Sequence, residues 1–309
     1  MLFDKNNNGS RELYELTGTF QASTDFRSIR SELTSAAAEV EGLVGSAVMT
    51  AAQAAYDESD PSEEQQRLYD TVRLPIAYLA IAMHAKLSGL SHGETGRKMK
   101  VDENEKIPFE WQIERDDREM RERYFRALDA LIRYLDREGL EAWKDSELYR
   151  MRKGCVVGCL SDCERIYPVE HSDYTFAVML PLFLEVQDGR LTDIIGADRV
   201  AALLRRDADV EKLRPAALRL VVLSALHTAV TRWSLDVFPL AITRRFAPSY
   251  QGGVSRTAAT TAEIDWALKK LELQVRDAEV LLQTAVSGNP YDGMRLLPEN
   301  DPSNKYFTV

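Results

Sequence analysis

Three cysteines in 309 residues are too few, and odd in number, for a disulfide framework. That scarcity points to a reducing compartment. Histidine is almost as rare, with His84, His92, His171 and His227 the only four, and no two stand four residues apart as a zinc-binding helix requires. Long apolar runs are missing. Stretches such as Leu218 to Val230 fall short of the roughly 20 residues of a membrane span, and His227 interrupts that one. The first ten residues, MLFDKNNNGS, carry neither the basic nor the apolar region of a secretory signal. Nucleophile-elbow, phosphate-loop and dinucleotide glycine motifs do not occur. Basic charge is in deficit, 39 Lys and Arg against 49 Asp and Glu for a net charge of −10. A protein that holds nucleic acid through its phosphates needs the opposite balance. These shortages lead us to expect neither a secreted nor a membrane-spanning protein, and no enzyme, metal site or cofactor.

What is present is an ordinary globular share of hydrophobic residues, 45%, arranged in a pattern that occurs twice. Phe26 opens a helical pattern through Ile29, Leu33, Ala36, Ala37 and Val40 that closes on Gly42-Leu43-Val44-Gly45. Phe176 opens a similar one through Met179, Leu180, Phe183 and Leu184 that closes on Ile194-Ile195-Gly196. A short helical stretch follows each glycine, Val48 to Tyr56 and Arg199 to Leu204. Next come Arg73-Leu74-Pro75 and Leu213-Arg214-Pro215, each read as a proline starting a strongly apolar central helix. Each half then has a polar insertion. Lys98 to Val101, a turn at Asp102 to Lys106, and Ile107 to Trp111 alternate like a hairpin, and Ala241 to Ser255 is its less clear counterpart. A long amphipathic helix ends each half, through Met120 to Leu135 and through Ile264 to Leu281, stopping at Gly139 and Gly288.

The expected fold is therefore all-α: a duplicated helical bundle with short β-hairpin insertions. Residues 1–141 form the first repeat, including an N-terminal loop signalled by Asn6-Asn7-Asn8-Gly9. A helical bridge covers 142–168, the second repeat 169–288 and an extended tail 289–309.

Candidate chemistry is thin. Cys155, Cys159 and Cys163 would share one helix face, but the outer two would lie about 12 Å apart, too far for one zinc ion. They read as small buried hydrophobes beside Gly154 and Gly158. His84 and His227 fall inside the apolar central helices and read as core histidines. Asp116-Asp117 sits among Arg115, Arg118, Arg121, Arg123 and Arg126, a solvated face of i,i+4 ion pairs. Trp111, Trp143, Trp233 and Trp266 are dispersed, as core or subunit-contact residues are.

Several landmarks resemble a helix-rich, uncharacterised family of phages and prophages of Bacteroides-type bacteria. They are Phe26…Ala37…Val40-Glu41-Gly42-Leu43-Val44-Gly45, Trp143…Ser146…Tyr149, Phe176…Ile195-Gly196, Leu213-Arg214-Pro215 and Asn304-Lys305-Tyr306-Phe307. The acidic stretch Asp57 to Glu64 and the cysteine-rich bridge depart from that pattern. By architecture the family resembles head–tail connector proteins of tailed phages. The resemblance implies a homo-oligomeric ring subunit of the virion, made in the host cytoplasm. It would join a portal protein to tail or stopper proteins, lining a channel that DNA crosses without sequence-specific binding. Interface residues would lie in the insertion (Lys98, Val101, Phe109, Trp111), the basic pair Arg244-Arg245 and the tail pair Tyr306-Phe307. A non-catalytic adaptor of a mobile element, and an enzyme with a spatially assembled site, are the alternatives.

Overall fold

Helix signals dominate the chain, and helices dominate the computed structural model. It describes residues 2–88, 90–93, 96–99, 109–169, 171–232, 245–247, 255–257 and 260–287. In chain order the helices are α1 (Gly9–Thr17), α2 (Arg30–Val44), α3 (Ser46–Asp57), α4 (Glu63–Ser88), α5 (Glu110–Glu138), α6 (Glu141–Lys144), α7 (Glu147–Lys153), α8 (Leu160–Glu164), α9 (Asp173–Val186), α10 (Thr192–Ile195), α11 (Ala197–Arg205), α12 (Arg214–Arg232) and α13 (Thr261–Ser287). A π-helical turn, Gln187–Leu191, links α9 to α10. Two short antiparallel strand pairs complete the described residues. β1 (Leu90–Gly93) pairs with β2 (Gly96–Met99), and β3 (Arg245–Ala247) with β4 (Ser255–Thr257).

Local chemistry accounts for the helix limits. Ser62 Oγ accepts from Gln65 N at 3.2 Å while Gln65 Oε1 accepts from Ser62 N at 2.8 Å, a reciprocal cap that starts α4. Thr260 and Glu263 make the same exchange ahead of α13. Gly139 ends α5 at φ 63°, its N–H bonded to Leu135 O. Gly45 and Gly196 make nearly identical joints, at φ 88°, ψ 153° and φ 84°, ψ 151°. Each N–H closes the helix before it and each carbonyl opens the helix after it. That backbone region is open essentially to glycine alone.

The chain packs as two units, residues 1–150 with 172–174, and 151–171 with the described residues from 175 onward. In the first unit α4 packs against α1, α2, α3 and α5. Its core holds Leu13, Ile29, Leu33, Val40, Val72, Ile76, Leu128, Leu131 and Trp143. Asp129 of α5 accepts from Tyr174 N at 2.8 Å and Ser172 Oγ at 3.2 Å, and Arg133 pairs with Asp173 at 2.6 Å. Burial pushes the Asp129 carboxyl above its ordinary value, and the Tyr174 N–H bond opposes that. In the second unit α12 is central and packs against α8, α13 and the π turn. From Ala217 to Ala229 every residue except Arg219, His227 and Thr228 is buried. The helical run Glu211–Arg232 is long and apolar enough to cross a membrane by length and composition, unlike the shorter runs weighed from sequence, yet 67% of its apolar window is buried within the protein.

Several sequence expectations change. Pro75 does not start a helix. It lies inside α4, because the Ser62–Gln65 cap nucleates the helix more than two turns earlier. Pro215 does occupy the first turn of α12. The N-terminal stretch is not all loop, since α1 follows a turn in which Asn6 and Asn7 adopt φ 58°. Phe26 sits in a 3-10 turn before α2. The strand holding Lys98 pairs with residues 90–93, one turn upstream, not with 107–111. Trp111 is instead in the first turn of α5, where the Phe109–Gln112 backbone and side-chain exchange starts a helix.

Replacing either joint glycine by alanine should cost roughly 1–3 kcal/mol of stability. Gly45→Ala and Gly196→Ala should cost about the same, because both put a side chain at positive φ and the new Cβ at 45 would meet Ser146 Cβ only at ordinary contact distance, 3.4 Å. Denaturant unfolding of both variants checks this. Unchanged midpoints would show that the joints do not hold this backbone.

Candidate interaction surface

A polar cluster in the first unit surrounds Arg73 on α4. Its guanidinium is buried and pairs with Glu12 of α1 and, at 3.3 Å, with Asp70. Three rings enclose it, Phe3 at 4.7 Å, Tyr56 at 5.0 Å and Tyr69 at 5.8 Å to the ring centres. The Tyr56 hydroxyl lies 2.8 and 2.9 Å from the two Glu12 oxygens and accepts from Lys5 N at 2.7 Å. Burial first, then the hydrogen bond to Glu12, holds the Tyr56 phenol above its ordinary value. A buried cation is tolerable only when paired and hydrogen-bonded. The cluster therefore fastens the N-terminal segment onto α3 and α4.

That fastening builds a cleft. Leu2 and Phe3 form one wall, with α2 and α3 the others, around a cavity of about 680 Å³. Leu33, Met49 and Ile76 give it an apolar floor, and Arg30, Glu41, Gln53 and Asp57 reach its rim. The size and polarity suit a compact apolar guest with a few polar contacts. Sequence reasoning missed this cleft, because α2 and α3 read only as packing helices and their angle at Gly45 is not a sequence property.

The second unit has its own clamp. Gln187 of the π turn accepts from Val156 N at 2.7 Å and donates to Gly154 O at 2.9 Å. Arg214, also buried, donates to Val156 O at 3.4 Å and to Leu203 O, and pairs with Glu211 at 2.8 Å. The cysteines lie nearby without sharing a helix. Cys155 is in the loop after α7, Cys159 caps α8 and Cys163 is within α8. The expected single face is absent because Gly154 and Gly158 bracket a non-helical stretch. Burial raises the Cys155 and Cys163 thiols to about 12. Among the described residues, no three His, Cys, Asp or Glu side chains are grouped to hold a metal ion.

Of the residues expected at an interface, Phe109 and Trp111 are 69% and 59% exposed at the start of α5, with Ile113 exposed beside them. Lys98 stands opposite Ser91 in the first strand pair and Arg245 opposite Thr257 in the second. Val101, Arg244, Tyr306 and Phe307 lie outside the described residues, as does Trp233. Trp143 is fully buried and donates to Asp136 at 2.9 Å, whereas Trp266 is 65% exposed on α13, near Lys270. Ion pairs do lace the charged face of α5, at Glu119–Arg123 and Glu122–Arg126. His84 is partly buried, edge-on to Phe20, and its Nδ1 has no hydrogen-bond partner.

Residues 40–153 match a family of unknown function, DUF6712. The match runs from the last turn of α2 into α7, including the Gly45 joint and Arg73 but not Glu12. No curated protein and no solved structure matches the chain.

Arg73→Met should destabilise the first unit by about 3–5 kcal/mol, the usual result of stranding one partner of a buried pair. Hydrogen exchange should then rise across residues 2–17 before the rest of the unit. Exchange unchanged there would show that the cluster does not hold the segment. Separately, a thiol reagent at pH 8–9 should modify Cys159 only. Cys155 and Cys163 stay protonated and covered at that pH and should react only after unfolding. Mass spectrometry of the folded, labelled protein decides the point.

Proposed function

We propose that this chain is a non-catalytic structural subunit of a phage or prophage virion, a head–tail connector built from two copies of one helical unit. The observation that carries the reading is a positional correspondence between the halves. Phe26, Ile29 and Leu33 stand 150 positions before Phe176, Met179 and Phe183. Val40, Val44 and Gly45 stand 151 before Leu191, Ile195 and Gly196. The offset changes by one across Gln187–Leu191, where the backbone makes its π turn. A π turn is how a helix absorbs one extra residue without losing its buried face.

The central helices agree as well. Val72, Arg73, Ile76, Ala77, Ala80 and Ile81 stand 141 before Leu213, Arg214, Ala217, Leu218, Val221 and Val222, and all twelve are buried. Asp70 stands 141 before Glu211, and each acid pairs with the arginine three residues on. The register runs through the arginines; the two prolines are one position out of it. A strand pair and a long charged helix follow in each half, and both long helices carry an exposed tryptophan.

In this reading the two units present related but non-identical faces. That suits head-to-tail contacts that close into a ring. The ring would bind a portal on one side and tail or stopper proteins on the other, and DNA would pass through it without sequence-specific contact. The virion assignment rests on the sequence landmarks, and the assembly role on the repeated unit and its exposed aromatic side chains.

Light scattering on the purified chain, alone and mixed with a portal protein encoded beside it, tests the proposal. We expect a closed oligomer or a stoichiometric complex. A monomer in both conditions would overturn it.

A further inference from the structure

We infer that the cleft between α2 and α3 receives the C-terminal segment of a second copy of this chain, with Phe307 as the anchor. This inference rests on the ring reading above and specifies one of its contacts. The cleft has an apolar floor of Leu33, Met49 and Ile76 and a rim that carries Arg30, Glu41, Gln53 and Asp57, one negative charge in excess. Beyond Ser287, where α13 ends, the sequence continues for 22 residues that include Pro290, Pro298 and Pro302. The adjacent aromatics Tyr306 and Phe307 follow Lys305 near their far end.

The two features are complementary in three respects. Docked in an extended form, adjacent side chains would turn to opposite sides, so that Phe307 would meet the apolar floor and the Tyr306 hydroxyl would keep to water. Lys305, two residues before the anchor in sequence, is opposite in charge to the rim, where Glu41 and Asp57 outnumber Arg30. Prolines in the spacer remove backbone donors and limit the freedom lost on docking. The 18 residues from Gly288 to Lys305 span up to about 60 Å when extended, a reach that suits a neighbouring subunit. A head-to-tail ring needs two different surfaces of one subunit to meet across each interface. Cleft and tail are two such surfaces.

The test uses the full-length chain. A photo-crosslinking residue replaces Phe307 in one preparation, which is mixed with a uniformly ¹⁵N-labelled preparation and illuminated after assembly. Crosslinks from position 307 should reach ¹⁵N-labelled peptides from residues 30–57. Crosslinks confined to unlabelled peptides of the same chain would show docking at home and overturn the inference, as would crosslinks to any other surface.

In parallel, Tyr306→Ala/Phe307→Ala should weaken self-association about thirtyfold, the loss expected for an aromatic anchor. Ala37→Trp, which fills the cleft, should match it. Met49→Glu is the second cleft variant should Ala37→Trp fail to keep the helical circular dichroism of the parent. A chain that forms its oligomer normally with the tail pair removed retains the ring reading and loses this contact. A parent chain that never associates, alone or with portal, loses both.

Discussion

A buried guanidinium organises each unit. Arg73 and Arg214 both lie on central helices, three residues after an acid that pairs with them, and both are almost completely covered. Removing such a charge from water costs several kcal/mol unless partners replace the lost hydration. In the first unit the partners are the Glu12 carboxylate and three aromatic rings. In the second they are Glu211 and the carbonyls of Val156 and Leu203. The need to satisfy these cations brings segments distant in sequence to the central helix: the N-terminal segment in one unit, and the 154–158 loop and the end of α11 in the other.

The consequences reach the surface. Once Arg73 has drawn Phe3 inward, Leu2 and Phe3 become a wall of the α2–α3 cleft. The sharp joint at Gly45 sets the angle between the other two walls. No side chain in the cleft is itself unusual. It exists because a glycine-only backbone and a buried charge act on the same three segments. The second unit also has a glycine joint and a buried arginine, and Gln187 of its π turn holds Val156 and Gly154. Similar constraints therefore give surfaces that differ in detail.

The helices that sequence identifies best are those whose ends carry chemistry of their own. α5 stops at Gly139 and α3 starts at Gly45, as the glycines indicate. Errors arose where a familiar residue stood for a boundary it does not make. Pro75 reads as a helix start, yet the Ser62–Gln65 exchange begins α4 earlier, and a proline within a helix forfeits one bond that the packing around α4 outweighs. Trp111 reads as strand because alternation continues through it, but Gln112 can return a hydrogen bond to Phe109 and so begins a helix. The S-x-x-Q and T-x-x-E signatures at Ser62 and Thr260 are the local features that mark these two helix starts.

Sequence alone determined the helical class and the glycine joints, because periodicity and backbone permissiveness are properties of neighbouring residues. Tertiary structure decided that Gln187–Leu191 makes a π turn and that Arg73 and Arg214 are buried. It also decided that Cys155, Cys159 and Cys163 do not share a helix, and that a cleft opens between α2 and α3. Each of these depends on which distant groups meet a charge or an unpaired backbone atom, and local pattern carries no information about that meeting.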